Sequence, residues 1–470
     1  MRVLFINKFL DKNTIYRVPL GILYLGTMAK DKHDIRICDP KRENLKDVIK
    51  HFKPTIIAYS LRTGFHQYYL NLNKKLKTEY NFISICGGPH ATFYPEMIKS
   101  EGVDIIGLSE CEKPFLELIN KIEKEENYFA TKNFWFKSKN GEIIRNPLEP
   151  LEQDLDSIPF PDRSFLNHHK ELKFSKIHNF IASRGCPYNC TYCFNRRLKV
   201  MYQGQRYVRK RSVDNVIKEI EGVAKDYPLE RVHFEDDTFN ISKDWLKEFA
   251  EKYPKIPFKC NIRADLVDEE VVALLKKANC ISVTFAIEAG NDRIRNEILK
   301  RNLSKEQLIN CANLLKKYKI RFITENILAN PTSSLKDDVE TLDLNLICKP
   351  DYPTVSLLNP YPGTEIYNIA IKSGEYQPRN FEEISSFFDS TPLKLKNLSE
   401  RINLQRIFAI IIGFPFLRKY LNFLIKYKYL RFIYSPIYHL WRAYCLMFKI
   451  MPHKISLREL FWLARRFLAS

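Results

Sequence analysis

The 470-residue chain has no dense cysteine framework, no membrane-spanning apolar run at its carboxyl end, and almost no acid in its last 70 residues. Its eleven cysteines lie scattered, mostly inside apolar strand-like or helical runs. That excludes a disulfide-stapled secreted domain and fits a reducing compartment. The apolar stretch Ile407 to Leu417 has about half of the roughly 20 residues a span needs, and Arg418-Lys419 closes it, which excludes a crossing helix there. No h-region or small-residue cleavage site follows Met1, so no signal peptide is expected and the catalytic body is expected in the cytoplasm. A hydrophobic content of 45% supplies cores for two or three domains.

What is present is concentrated in the run Ser183-Arg-Gly-Cys-Pro-Tyr-Asn-Cys-Thr-Tyr-Cys-Phe-Asn195. The spacing of Cys186, Cys190 and Cys193 curls a short loop so that three thiolates converge on one metal centre, and no fourth thiol lies nearby. A zinc site would show paired Cys-x-x-Cys or Cys/His partners further along, and His178 and His233 do not repeat that spacing. A [4Fe-4S] cluster held by three cysteines keeps one iron open for a small molecule.

These residues resemble the signature of the radical S-adenosylmethionine superfamily. The resemblance implies that the open iron chelates the amine and carboxylate of S-adenosylmethionine, and that reductive cleavage, fed by an external electron donor, gives a 5'-deoxyadenosyl radical. Tyr192 occupies the aromatic place where family members rest the adenine.

The first 130 residues alternate apolar runs with helical periods. The runs are Val3 to Ile6, Ile35 to Cys38, Thr55 to Ser60, Phe82 to Cys86 and Asp104 to Leu108, with helical stretches at Leu20 to Lys30, Glu43 to Phe52 and Glu112 to Lys124. That rhythm predicts an α/β, doubly wound (Rossmann-like) parallel sheet with ligands at the strand carboxyl ends. Three of those ends carry turn chemistry: Ser60-Leu-Arg-Thr63, Gly87-Gly-Pro-His-Ala91 and Gly107-Leu-Ser-Glu110. Each alone is also a generic tight turn.

Together with Val18-Pro-Leu-Gly-Ile-Leu-Tyr-Leu25 and Asp39-Pro40, these ends resemble the cobalamin-binding domain that precedes many radical S-adenosylmethionine enzymes. The resemblance implies that Thr63, Gly87, Gly88, Ala91 and Gly107 cradle the corrin and its nucleotide tail. The Asp-x-His-x-x-Gly signature of histidine-ligated cobalt is absent, and His90 is expected as a turn residue. Where related chains commonly read Gly-x-Gly-Glu, Ser109 stands in the second glycine's place, so a domain that keeps the fold without cobalamin stays open.

From about 126 to 177 the chain reads as an ordered linker with a hairpin turned at Asn140-Gly141 and prolines at 147, 150, 159 and 161. Its Asp154 to Asp162 run also resembles the connector of cobalamin-type radical enzymes. Strand-helix alternation then resumes over 178–375, at Asn179 to Ser183, Arg231 to Glu235, Phe258 to Ile262, Ile281 to Ile287, Arg321 to Leu328 and Pro353 to Leu358. Six such units predict a partial (β/α)6 barrel. Acids and an arginine at those strand ends, Glu235, Asp236, Arg263 and Glu288, are candidates for the ammonium, ribose and carboxylate of S-adenosylmethionine. Helix capping, or an Arg263–Glu288 ion pair, is the structural alternative. Asn326 and Asn330 replace a Gly-x-Pro common in relatives and are expected in a substrate pocket.

With cobalamin beside the cluster, the resemblance implies methyl transfer to an unactivated carbon of a lipid-like or natural-product substrate. Cyclisation or rearrangement without methyl transfer, and a non-catalytic binding protein, are the alternatives. A methylthiotransferase would need a second cysteine trio, which Cys38, Cys86 and Cys111 do not form.

The region 376–470 is expected to be a helical extension. Between Arg401 and Ser470, 13 Lys/Arg stand against one acid, Glu459, with sixteen aromatics interleaved. The pattern fits an interfacial helix at the inner face of a membrane. A cap over the barrel and an RNA-binding surface use the same residue types, and nucleic acid is the least favoured partner.

Overall fold

The computed structural model describes residues 1–8, 18–169, 173–378, 390–427 and 431–450. Two parallel sheets organise it. In the first, β1 (Arg2–Ile6), β2 (Asp34–Cys38), β3 (Ile56–Ser60), β4 (Ile83–Gly87) and β5 (Ile105–Gly107) run in the spatial order β2-β1-β3-β4-β5, all parallel. Their near-continuous apolar sequences suit strands covered on both faces: Val3 and Phe5 pack into one core with Ile56 and Ile85, while Leu4 and Ile6 pack into another with Ile57 and Tyr59. The order reverses between β1 and β3, which places the ligand crevice of such a sheet at their carboxyl ends.

The hairpin expected within a linker instead extends this sheet. Strands β6 (Phe134–Lys137) and β7 (Ile143–Arg145) add antiparallel to β5, and Phe134 and Phe136 bury in the first core. An alternating Phe-Trp-Phe segment has one apolar face to hide, and the open edge of β5 supplies the backbone partners.

The second sheet joins β8 (Ile177–Phe180), β11 (Arg231–Phe234), β12 (Phe258–Asn261), β13 (Cys280–Glu288), β14 (Arg321–Leu328) and β15 (Tyr352–Leu357) in chain order, all parallel. Helices such as Val213–Asp226, Glu269–Lys277 and Lys305–Lys317 cover its outer side around Phe234, Phe258, Val283 and Phe322. The first expected strand of this sheet is split. After β8 the chain forms a separate antiparallel pair, β9 (Ser183–Arg184) with β10 (Arg209–Lys210), which carries it into the cysteine loop.

The helix Leu398–Gly413 buries Leu404, Ile407, Phe408 and Ile411 against Val355 and Leu357 of β15 and against Leu342. The first part of the apolar run, Ile407 to Ile411, is therefore mostly core that covers the last strand, while Phe414 and Phe416 beyond the helix are exposed. Among the described residues no helix is long and apolar enough to cross a membrane.

Candidate active site

The cysteine loop begins at a backbone position only glycine tolerates. Gly185 has φ 87°, and a Cβ there would lie 2.5 Å from the Tyr207 carbonyl oxygen. Backbone then braces the loop from two sides. Thr191 donates its N–H to Leu299 O at 3.1 Å and its hydroxyl to Ile298 O at 2.7 Å, and its own carbonyl accepts from Ile366 N at 3.0 Å. Cys193 donates to Cys190 O at 3.2 Å and precedes the helix Phe194–Met201.

The donor set fits an iron-sulfur cluster. All three thiols are free, and each sulfur has a polar side chain beside it: Thr238 Oγ1 at 3.8 Å from Cys186, Arg301 Nη1 at 3.7 Å from Cys190, and Asn195 Nδ2 at 3.8 Å from Cys193. Burial pushes the Cys193 thiol up to about 12 and raises Cys186 as well, so the charge to hold them as thiolates would come from iron when a cluster is bound.

Around the loop the predicted residues divide. Tyr192 donates to Glu288 Oε1 at 2.7 Å. Glu288 ends β13 in a left-handed conformation, φ 62°, and burial, opposed by the Arg301 cation, raises its carboxyl to about 7. Glu235 lines a cavity together with Asp237 and accepts from Asn179 Nδ2. Asp236 faces away from that cavity. It accepts Ala182 N at 3.0 Å and the Ser183 hydroxyl, so it ties β11 to the base of the cysteine loop.

Arg263 does not pair with Glu288. Its Nε lies 2.8 Å from Asp265 Oδ1 and its guanidinium sits 3.4 Å from the Tyr188 ring centroid, inside the cysteine loop. Asn326 and Asn330 likewise do not line this cavity. Asn326 accepts from Asn345 Nδ2 at 2.7 Å, and Asn330 Nδ2 donates to Ile327 O at 2.8 Å. The pleat turns Asn326 toward the helix Leu335–Cys348, and its neighbour Glu325 stands near Glu288, Lys259 and Arg301 instead.

Arg301 is the residue that sequence reasoning missed. Besides Cys190 it approaches the Tyr192 hydroxyl at 3.3 Å and donates to Ala286 O at 3.0 Å. No local motif marks it, because the segment Ile294–Ile298 that delivers it is an irregular turn of helix.

The cavity, about 390 Å³, runs between the two sheets. Gly21, Gly87, Gly88, Gly107 and Ser109 line it from one side, and Arg184, Gly185, Asn195 and Glu235 from the other. At Gly88, φ 89°, a Cβ would sit 2.9 Å from Leu61 backbone atoms. At Gly21 a Cβ would meet nothing within 4 Å, and at Gly87 nothing nearer than 3.9 Å, so both leave room for a ligand. Thr63 and Ala91 are not part of this lining. Ala91 is fully buried in the core, and Thr63 Oγ1 contacts His90 Nδ1 at 3.1 Å. His90 is buried, stacked 3.8 Å from His66, and desolvation lowers it to about 3, which makes it a neutral core histidine.

Ser109 takes up the left-handed conformation that a glycine would adopt freely. It adopts φ 62° and donates its N–H to Thr92 Oγ1 at 2.9 Å. Glu110 beside it also lines the cavity and receives Arg184 and Arg209 from the other domain.

A parallel partial barrel with a three-cysteine loop at its strand carboxyl ends, joined through one cavity to a doubly wound sheet, defines a two-domain iron-sulfur protein. The Radical SAM superfamily model matches residues 180–344, and the B12 binding domain model matches residues 16–119. An uncharacterized methyltransferase of Pyrococcus horikoshii is 27% identical over 402 residues, covering 82% of this chain and 85% of that protein. Among solved structures, the cobalamin-dependent S-adenosylmethionine radical enzyme OxsB with aqua-cobalamin bound has a TM-score of 0.68 at 16% identity, covering 100% of this chain and 75% of that one. The radical S-adenosylmethionine methyltransferase TsrM from Kitasatospora setae has a TM-score of 0.65 at 16% identity, covering 79% and 76%. The chain belongs to the cobalamin-binding radical S-adenosylmethionine enzymes, whose cofactors are a [4Fe-4S] cluster, S-adenosylmethionine and cobalamin.

Proposed function

We propose that this enzyme transfers a methyl group to an unactivated carbon of a lipid-like or natural-product substrate. When bound, the cluster with S-adenosylmethionine supplies a carbon-centred radical and cobalamin supplies a methyl group. The single observation that carries the reading is the shared cavity, which puts Gly87, Gly88 and Gly107 on one wall and the start of the cysteine loop on the other. Cys186, Cys190 and Cys193 would hold the cluster. Tyr192, Glu235 and Glu288 would contact S-adenosylmethionine, while Arg263 and Asp236 position the loop and strand that present it. The methyltransferase similarity supports the same outcome.

Anaerobic reconstitution with cluster, cobalamin, reductant and methyl-deuterated S-adenosylmethionine tests it. Deuterated methyl appearing in a product, together with 5'-deoxyadenosine, supports methyl transfer. Release of 5'-deoxyadenosine with an unlabelled product favours cyclisation or rearrangement.

A second observation bears on where the substrate comes from. The helix Arg431–Tyr444 and the turn after it bury Tyr434, Tyr438 and Cys445. Their outward side carries Ile433, Ile437, Leu440, Tyr444 and Phe448, all exposed at helical spacing. An element apolar on both faces calls for a cover. Exposed Phe414, Phe416, Tyr420 and Phe423 continue the surface, and Lys419, Lys426, Arg442 and Lys449 stand among them. We assign this surface to an anionic bilayer, whose headgroups complement those cations and whose interface accepts the rings.

A further inference from the structure

We propose that Glu43, His168 and His169 form a second metal site, separate from the cysteine loop, for a divalent cation of the zinc class. His168 and His169 follow the turn Arg163–Leu166 in the connector between the sheets, and Glu43 lies in the turn after β2. Both Nε2 atoms stand 3.5 Å from one oxygen, Glu43 Oε1, and the three atoms all lie within 4.8 Å of one another.

That spacing is long for a charge-assisted hydrogen bond, which settles at about 2.7–2.9 Å. It matches the edge of a tetrahedron whose ligands stand about 2.0–2.2 Å from a zinc ion, roughly 3.3–3.5 Å. Glu43 Oε1 is buried and faces the two imidazoles at 3.5 Å, with the Cys38 thiol also beside the carboxylate, while Oε2 is held by Arg36 Nη2 at 2.5 Å. A carboxylate anchored through one oxygen, with the other turned toward two imidazoles, is how an oriented ligand is prepared. Without metal, His168 Nε2 sits 3.0 Å from Ile37 O, so that ring exchanges one oxygen partner for the cation.

Two imidazoles and one carboxylate are an ordinary zinc donor set with a fourth position for water. His168, partly exposed, leaves a side open to solvent, whereas His169 is 3% exposed. These residues are not among those lining the cavity, so the cation clips the connector to the end of β2 and takes no part in the radical chemistry.

The test loads cluster and cobalamin first, so that the cysteines are occupied, then titrates the full-length holoenzyme with zinc chloride after chelator treatment. One zinc per chain is expected, with an X-ray absorption first shell of nitrogen and oxygen near 2.0–2.1 Å and no sulfur near 2.3 Å. His168→Ala and Glu43→Gln should each weaken it at least about tenfold. His168 is partly solvent-exposed, and an unchanged melting temperature of the zinc-free His168→Ala protein would show that its loss is not misfolding. No bound zinc, a sulfur shell, or unchanged affinity in both variants overturns the proposal.

Discussion

Glu110, just beyond the end of β5, accepts a 2.7 Å hydrogen bond across the domain boundary from Arg184, two residues before Cys186. Arg209 of β10, 1% exposed, reaches the same carboxylate, and Glu112 takes the other side of Arg184 at 2.7 Å. The loop that carries Gly107 and the loop that carries the cysteines are thereby fixed to one another, which is what a cavity built from both requires.

Glu110→Gln should loosen that clamp. Burial would raise the Glu110 carboxyl, but hydrogen bonds from Arg209 and Arg184 outweigh it and hold the group below the ordinary carboxylate range. Its contribution is therefore present above that range and lost as pH falls through the depressed value. Stripping the carboxylate from a buried arginine costs about 3 kcal/mol. Melting temperatures of the wild type and the variant should differ clearly at pH 7 and converge in acid. A gap that persists in acid assigns the effect to packing.

Glu288→Gln should act with the opposite sign. With its carboxyl raised from 4.5 to about 7, the folded state binds the proton more tightly than the unfolded chain. That contribution is fully present below the ordinary value and is lost as pH rises through about 7. At about 1.4 kcal/mol per pH unit the whole effect is on the order of 3 kcal/mol. Urea midpoints of the cluster-free protein should favour the variant at pH 8 by more than at pH 5. A pH-independent difference would remove the titration argument.

Parts of this architecture were open to the sequence and parts were not. Continuous apolar runs such as Val3 to Ile6 declare buried parallel strands, and the cysteine spacing declares its loop, because both signals are local. Arg301 was hidden, since only the tertiary path of the turn before it brings its guanidinium to Cys190. Ser109 shows what a missing glycine leaves undecided. A left-handed residue costs only about 1–2 kcal/mol, and one backbone hydrogen bond to Thr92 with surrounding packing is enough to hold it, so a missing glycine does not report a missing conformation. Asn326 misled because its face is set by strand register, which a strand-end position does not reveal.

Gly87→Leu should abolish cobalamin binding while sparing the fold. Gly87 ends β4 without a left-handed φ, and its Cβ direction points into open cavity, so a leucine side chain occupies ligand space without backbone strain. Cobalt retained after gel filtration should fall to background, with the melting temperature of the cobalamin-free protein close to wild type. Full cobalt occupancy in this variant would move the cofactor out of the cavity.

The membrane assignment cannot be tested by deleting residues 401–470, because that deletion strips Leu404, Ile407, Phe408 and Ile411 from the core over β15. Substitution of the outward face leaves that core alone. Phe432, 84% exposed, and Leu440, 64% exposed, lie outside the core, so Phe432→Glu with Leu440→Glu should cost little folding stability. Each swap removes apolar area from the interface and adds a charge that anionic headgroups repel. Flotation with vesicles containing phosphatidylserine should fall at least about tenfold in the double variant, and wild-type binding should weaken with salt and with phosphatidylcholine alone. Equal flotation of both proteins, or a concentration-dependent dimer abolished by the same substitutions without any vesicle binding, would assign this face to something other than a bilayer.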